Sequence, residues 1–244
     1  MYTIKVDTIK KGSFDIHFTN FADFVWIVGH QVGLFHGYVD ESTANDYCDL
    51  IGRDFSRRFQ EREQLGVYDN LDNKSVVLDI GSGVGVFDII LYKYLEGGTF
   101  YLLDKSEVHH GNMTSGQWND DHGFYNDWNM FKDIIDHNDI DKEAFITIDP
   151  KDNWPNDIDL IMSSYSYMWH YSKETYWHKV LYHANKGSSI CFDILNNKNN
   201  NIDEINNELN KVCTTKPKPK ILFHWFINDL CLEEGSPGKL CYWR

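Results

Sequence analysis

The stretch VVLDIGSGVGVF, residues 76–87, decides the fold of this chain. Residues 76–80 form an apolar run interrupted by one acid, Asp79, which is typical of a buried strand. Residues 86–95 carry apolar side chains at helical spacing, so the glycines between the two segments lie in a strand-to-helix turn. Glycines in such a turn adopt backbone conformations that other residues avoid. Their N–H groups, near the start of a helix, can bind an anionic group of a small molecule.

The spacing of the glycines narrows the choice of ligand. Gly81, Gly83 and Gly85 occupy alternate positions, whereas a dinucleotide-binding turn has the pattern G-x-G-x-x-G. The carboxylate of Asp79 lies two residues before the first glycine. An anion at that place repels a pyrophosphate and favours a ligand with an ammonium or sulfonium charge.

The pattern D-x-G-x-G-x-G after an apolar strand resembles motif I of the class I S-adenosylmethionine-dependent methyltransferases. The resemblance covers about residues 70–244 and implies a Rossmann-like α/β domain with S-adenosylmethionine as its cofactor. It implies cofactor binding by Asp79, Gly81, Ser82, Gly83 and Gly85.

Apolar runs alternate with amphipathic segments through the rest of the chain, which predicts a mainly parallel sheet with helices on both faces. The resemblance implies that a C-terminal antiparallel hairpin closes this sheet. The predicted strands after the first are residues 99–103, 145–148, 158–162, 188–195, 221–227 and 239–243, and the predicted helices are residues 86–95, 127–137, 173–184 and 202–212.

Two domains are predicted: an N-terminal helical extension or substrate lid at residues 1–70 and a methyltransferase domain at residues 71–244. Residues 42–64 have an apolar helical face, so this helix is either a lid over the cofactor edge or a simple docking helix. A local group of arginines on it is interpreted as a solvated helix face: Arg53, Arg57, Arg58 and Arg62.

Polar residues at the ends of the predicted strands complete the expected cofactor site. Asp104 ends the strand at residues 99–103, where a carboxylate can accept hydrogen bonds from two ribose hydroxyls. Lys105 follows it, and the resemblance places Asp149 near the adenine amino group. Ser163 and Ser164 lie at the carboxyl end of the fourth strand, the edge at which open α/β sheets bind ligands.

The segment SSYSYMWHY, residues 163–171, is similar to the corresponding segment of bacterial sugar O-methyltransferases. This likeness nominates His170 as the general base that removes a hydroxyl proton, and it places Tyr165 and Trp169 against the acceptor. The long polar loop at residues 105–126 offers His109 as an alternative base and His110 as a substrate contact.

A divalent metal is the other possible use of that loop. His109 and His110 could bind one together with Asp120 and Asp121, as in catechol-type methyltransferases. Those enzymes carry acidic residues after the fourth strand, whereas this chain has serines there. No metal site is therefore predicted.

Charge and motifs favour a small-molecule acceptor. The formal net charge is −14 and no dense Lys/Arg stripe is present, which disfavours a nucleic acid, since phosphate binding depends on cationic side chains. The N/D-P-P-Y/F signature of enzymes that methylate base amines is absent after the fourth strand. The predicted reaction is O-methylation of a sugar or another small-molecule hydroxyl.

Three alternatives stay open: methylation of a small-molecule nitrogen, a non-catalytic S-adenosylmethionine-binding module, and a nucleotide-dependent oxidoreductase or epimerase, against which Asp79 counts. The five cysteines, odd in number and without a C-x-x-C pair, indicate a reducing compartment. With no secretory signal or membrane-spanning segment visible, a cytoplasmic protein is expected. The oligomeric state is not predicted.

Overall fold

In a computed structural model of the chain, the structure describes residues 1–19, 44–104, 128–164, 166–168, 172–195, 201–212, 220–225 and 237–244. The strands in these ranges are β1 Tyr2–Asp7, β2 Ser13–Phe18, β3 Val76–Ile80, β4 Thr99–Leu103, β5 Phe145–Ile148, β6 Leu160–Ser163, β7 Ser189–Leu195, β8 Lys220–Trp225 and β9 Pro237–Trp243. The α-helices are α1 Ala44–Leu65, α2 Val86–Leu95, α3 Trp128–His137, α4 Trp177–Lys186 and α5 Ile202–Val212.

Seven strands form one sheet in the order β5-β4-β3-β6-β7-β9-β8. The strands from β5 to β7 in this order are parallel, and β9 runs antiparallel to both β7 and β8. The chain moves outward from β3 to one edge and then returns to add β6 on the other side. In open α/β sheets such a reversal of strand order forms a crevice that binds ligands, and here the reversal lies at the carboxyl ends of β3 and β6.

Alternating side chains on the strands feed two hydrophobic cores, one on each face of the sheet. Val77 packs in the core that contains residues of α1, α2 and α3. Leu78 packs on the opposite face, in the core that contains residues of α4 and α5. The predicted α/β class, with helices on both faces and an antiparallel C-terminal pair, is confirmed.

The N-terminal section contains a β-hairpin as well as the predicted helix. Strands β1 and β2 pair antiparallel, and the hairpin lies on α1. The Glu63 carboxylate accepts hydrogen bonds from the backbone N–H groups of Ile9, at 2.6 Å, and Lys10, at 3.2 Å. A Cβ added at Gly52 would lie 2.5 Å from the Lys5 carbonyl oxygen, so only glycine lets the helix and β1 approach this closely.

Two further observations bear on the class of protein. Within the described ranges, none of the helices combines the length and the apolar character needed to cross a membrane. The cysteines that the structure describes, Cys48, Cys191 and Cys241, are buried free thiols.

Gly52→Ala tests the close approach of α1 and β1. Alanine normally stabilises a helix interior by about 1 kcal/mol relative to glycine. Here we expect the opposite sign, a loss of about 1–3 kcal/mol, because the new methyl group collides with the Lys5 backbone. Thermal unfolding measures it, with Gln64→Ala at an exposed position of the same helix as the control. An unchanged or raised Tm for Gly52→Ala would contradict this packing.

Candidate functional site

The turn between β3 and α2 is held in a conformation that requires glycine. Gly81, Gly83 and Gly85 have φ values of 75°, 57° and 63°, and the Gly81 N–H donates to the Leu103 carbonyl oxygen at 2.7 Å. A Cβ at Gly81 would lie 1.7 Å from Ser166 Oγ, whereas a Cβ at Gly83 would meet none of the described residues within 4 Å. Among the described residues, the turn is therefore closed at its first glycine and open at its second.

Asp104 joins the ends of β3 and β4. It directly follows β4, is buried, and accepts a hydrogen bond from the Gly83 N–H through Oδ2 at 2.8 Å. The hydroxyl oxygen of Ser82 is buried and has no hydrogen-bond partner among the described residues. A buried carboxylate, an unsatisfied hydroxyl and the open space at Gly83 thus lie together at the crevice, which suits a nucleoside with ribose hydroxyls to donate.

The serines that follow β6 have different environments. Ser163 is fully buried, and its hydroxyl donates to the Ile80 carbonyl oxygen at 2.7 Å and accepts from the Tyr167 N–H at 2.9 Å. Its hydroxyl thus connects β6 to the end of β3 just before the glycine turn, and the predicted contact of Ser163 with the cofactor stays a prediction. Ser164 is half-buried, and its Oγ accepts from Arg62 Nη2 at 2.8 Å.

Arg62 of α1 reaches the carboxyl edge of the sheet. Its Nη2 also forms a 2.8 Å ion pair with Asp193 on β7, and both side chains are buried, at 1% and 0% exposure. The guanidinium lies 4.7 Å from the centre of the Phe87 ring. The interpretation of the arginine group as a solvated helix face is therefore wrong for Arg62 and for Arg58, which is equally buried.

Two buried carboxyl groups lie against each other beneath the glycine turn. Asp79 on β3 points to the face that α1 and α2 cover, and the Asp88 side chain of α2 is within hydrogen-bond reach of it. Burial raises the pKa of Asp79 to about 7, although the hydrogen bond with Asp88 and, to a smaller extent, the Arg62 charge act to lower it. Burial, and next the Asp79 charge, raise the pKa of Asp88 well above its usual range.

Of the remaining predicted site residues, Asp149 lies within the described part of the chain and the predicted catalytic residues lie outside it. Asp149 is exposed after β5, and its Oδ1 accepts from the Lys151 N–H at 2.9 Å in a turn; its adenine contact stays a prediction. Six predicted site residues lie outside the described residues: Lys105, His109, His110, Tyr165, Trp169 and His170.

The alternative metal site, with Asp120 and Asp121, also lies outside the described residues. Within the described part of the chain, no group of three or more His, Cys, Asp or Glu side chains could hold a metal ion.

Arg62, Asp88 and Asp193 belong to this site but are not among the residues predicted from the sequence. For each of the three residues, the sequence contains one feature that indicates burial. Arg62 follows Phe55 and Phe59 on one face of the helix, so its position belongs to the buried stripe. Asp88 and Asp193 are single acids within apolar segments, and an acid there is buried only with a partner.

Comparisons with known proteins give structural likeness only. No protein-family model matches this sequence, and no curated protein does. Among similar solved structures is an rRNA methylase from Streptococcus thermophilus, 11% identical, with a TM-score of 0.44, covering 77% of this chain and 95% of that chain. Another is TrmK of M. capricolum in complex with the cofactor product S-adenosyl-homocysteine, 12% identical, with a TM-score of 0.45, covering 75% of this chain and 67% of that chain.

A third is precorrin-6y C5,15-methyltransferase from Geobacter metallireducens, 12% identical, with a TM-score of 0.44, covering 76% of this chain and 88% of that chain. All three likenesses are weak in sequence and in shape. What this chain does has to be inferred from its own residues.

Arg62→Met and Asp193→Leu test the buried ion pair. Each single variant leaves an uncompensated buried charge, so we expect each to lower the free energy of unfolding by about 3–5 kcal/mol. The double variant should lose far less than the sum, because an apolar pair replaces the charges. Urea unfolding measures all three. Additive losses would show that the two side chains are energetically independent.

Proposed function

We propose that this chain is an S-adenosylmethionine-dependent methyltransferase. The observation that carries the proposal is the glycine turn, which none of the described residues covers at Gly83 and which is joined to the buried Asp104 carboxylate at the reversal point of the sheet. The buried acid Asp79 behind this turn favours a cationic ligand over a pyrophosphate. The same arrangement counts against a nucleotide-dependent oxidoreductase.

The chain's own residues fit the donor in three places. The Asp104 carboxylate is placed to accept hydrogen bonds from ribose hydroxyls, and the Ser82 hydroxyl and the Gly83 backbone line the open space beside it. Asp79 supplies negative charge for the cationic part of the donor. Once bound, the donor supplies a methyl group on a positively charged sulfur, which is a good leaving group, so the protein has mainly to position the acceptor and exclude water.

We infer that the acceptor is the hydroxyl of a sugar or another small molecule, with His170 as the general base that removes its proton. His109 is the alternative base; His110, Tyr165 and Trp169 are proposed substrate contacts. A net charge of −14 supports a small molecule over a nucleic acid. Small-molecule N-methylation and a non-catalytic binding module are the alternatives.

Asp104→Asn tests the donor site. The asparagine oxygen can still accept from the Gly83 N–H, but the side chain can no longer accept from both ribose hydroxyls as a carboxylate does. We expect the affinity for S-adenosylhomocysteine to fall by about 10-fold to 100-fold in calorimetry, in line with the loss of one charge-assisted hydrogen bond.

Asp136→Asn, at an exposed surface pair with Lys142, is the matched control and should bind like the wild-type protein. Failure of the wild-type protein to bind S-adenosylhomocysteine or S-adenosylmethionine would contradict the proposed function. Binding of NAD in their place would favour the oxidoreductase.

Methyl transfer itself identifies the acceptor class. The protein is incubated with methyl-labelled S-adenosylmethionine and either a small-metabolite extract or total RNA. We expect label in the low-mass fraction. His170→Ala should abolish most of this transfer, by about 10²–10⁴-fold, with donor affinity unchanged. Label in RNA would contradict the small-molecule acceptor, and no transfer to either pool despite donor binding would favour the non-catalytic module.

A further inference from the structure

Asp79 and Asp88 together have too few hydrogen-bond donors for two buried carboxylates. Asp79 is 2% exposed and Asp88 is 0% exposed. Among the described residues, the only donor at the Asp88 carboxyl group is its own backbone N–H, and no partner donates to Asp79 Oδ1. The two side chains instead face each other within hydrogen-bond reach. Such contact between carboxyl groups is favourable only if one of them carries a proton.

The surrounding charges decide which carboxyl group carries that proton. Asp79 faces Arg62 of α1, whose positive charge favours the ionised form, and it also faces Asp104 after β4 and Asp193 of β7, which oppose it. The only charged side chain that bears on Asp88 within the described part of the chain is Asp79 itself. With no cation beside it, Asp88 is the group that stays neutral.

We propose that Asp88 is a positioning residue of the donor site, which stays protonated at neutral pH and donates its hydroxyl hydrogen to the Asp79 carboxylate. This inference rests on the proposed function, because the ligand that Asp79 attracts is the cationic donor. The hydrogen bond stabilises the ionised form of Asp79 and fixes its orientation behind the glycine turn. Asp88 therefore acts on the donor through Asp79 and does not touch it.

The arrangement has a definite pH dependence. Asp79 takes up a proton as the pH falls through about 7, and a neutral carboxyl group no longer attracts a cation. Donor affinity should therefore be highest above that pH and fall below it. Removal of the Asp88 hydrogen bond raises the pKa of Asp79 further, so the fall in affinity should begin at a higher pH.

Asp88→Asn and Asp88→Leu separate this role from simple packing. The asparagine amide can donate to Asp79 as the protonated carboxyl does, whereas leucine cannot. Calorimetric titration with S-adenosylmethionine between about pH 6 and pH 9 measures the affinity of each variant across the range in which Asp79 titrates. Asp136→Asn is the surface control. Any titration of the donor itself affects all variants equally, so it does not alter the comparison between them.

We expect Asp88→Asn to bind within about 3-fold of the wild-type affinity at about pH 8, and Asp88→Leu to need a pH higher by about one unit for the same affinity. Equal losses in both variants, or a wild-type pH profile in Asp88→Leu, would overturn the proposal. If Asp88 were instead ionised and bound the donor directly, Asp88→Asn would lose much of its affinity for the donor. The same titration therefore distinguishes this alternative from the proposal.

Infrared spectroscopy gives a readout that needs no ligand. At about pH 8 the wild-type protein should show the C=O stretch of a protonated buried carboxyl group, and Asp88→Asn should lack it. Asp88→Leu is left out of this comparison, because the raised pKa of Asp79 leaves that carboxyl group partly protonated at the same pH. Absence of this band from the wild-type protein would refute the neutral Asp88. If the band is present but the donor does not bind at any pH, the proposed function fails and Asp88 is protonated for another reason.

Discussion

Buried negative charge at the carboxyl edge of the sheet is the constraint around which this molecule is built. Asp79 on β3 and Asp193 on β7 are both nearly inaccessible, and Asp104 is buried at the end of β4. An isolated buried carboxylate is too costly to persist, so each needs a partner or a proton. The positions of α1, α2 and the glycine turn follow from how these needs are met.

Each acid is satisfied in a different way. Asp193 pairs with Arg62, Asp104 accepts from the Gly83 N–H, and Asp79 faces Asp88. The partners belong to three different parts of the chain: α1, the glycine turn and α2. The acids thereby fix the two helices on this face of the sheet, and in the proposed function the ionised form of Asp79 supplies the negative charge that the cationic donor neutralises.

The helix α1 contributes to the site because it carries the partner of one of these buried acids. Arg62 is directed to the sheet edge, while the adjacent Glu63 binds the backbone of the β1–β2 hairpin. One turn of helix thus anchors the hairpin on one side and neutralises Asp193 on the other. Through these contacts the helix packs on the sheet and on the hairpin, and its role as a lid or as a docking helix stays a prediction.

Local sequence patterns predicted most of the helices and strands. They did not predict contacts between residues that are distant in the sequence. The strand at residues 99–103 and the helix at residues 86–95 have the predicted bounds, because the pattern of apolar residues and the neighbouring glycines indicate where each begins and ends. The predicted helix at residues 173–184 is instead a 3₁₀ turn, Lys173–Thr175, followed by α4, since Tyr176 has a non-helical φ of −126°.

The partners of the buried charges could not be predicted from the sequence. Asp193 lies 131 positions after Arg62, and no local pattern indicates that they meet. In the same way, the glycine motif predicted the turn but not that Ser166 closes one side of it. Both features depend on how the sheet brings separate strand ends together.

A crystal structure with S-adenosylhomocysteine bound would locate the donor site. We expect the ribose hydroxyls within hydrogen-bond distance of the Asp104 carboxylate, the nucleoside beside Gly83, and the amino group on the side of Asp79. A ligand bound elsewhere on the sheet, with Asp104 still engaged only by the protein, would contradict the proposed donor site.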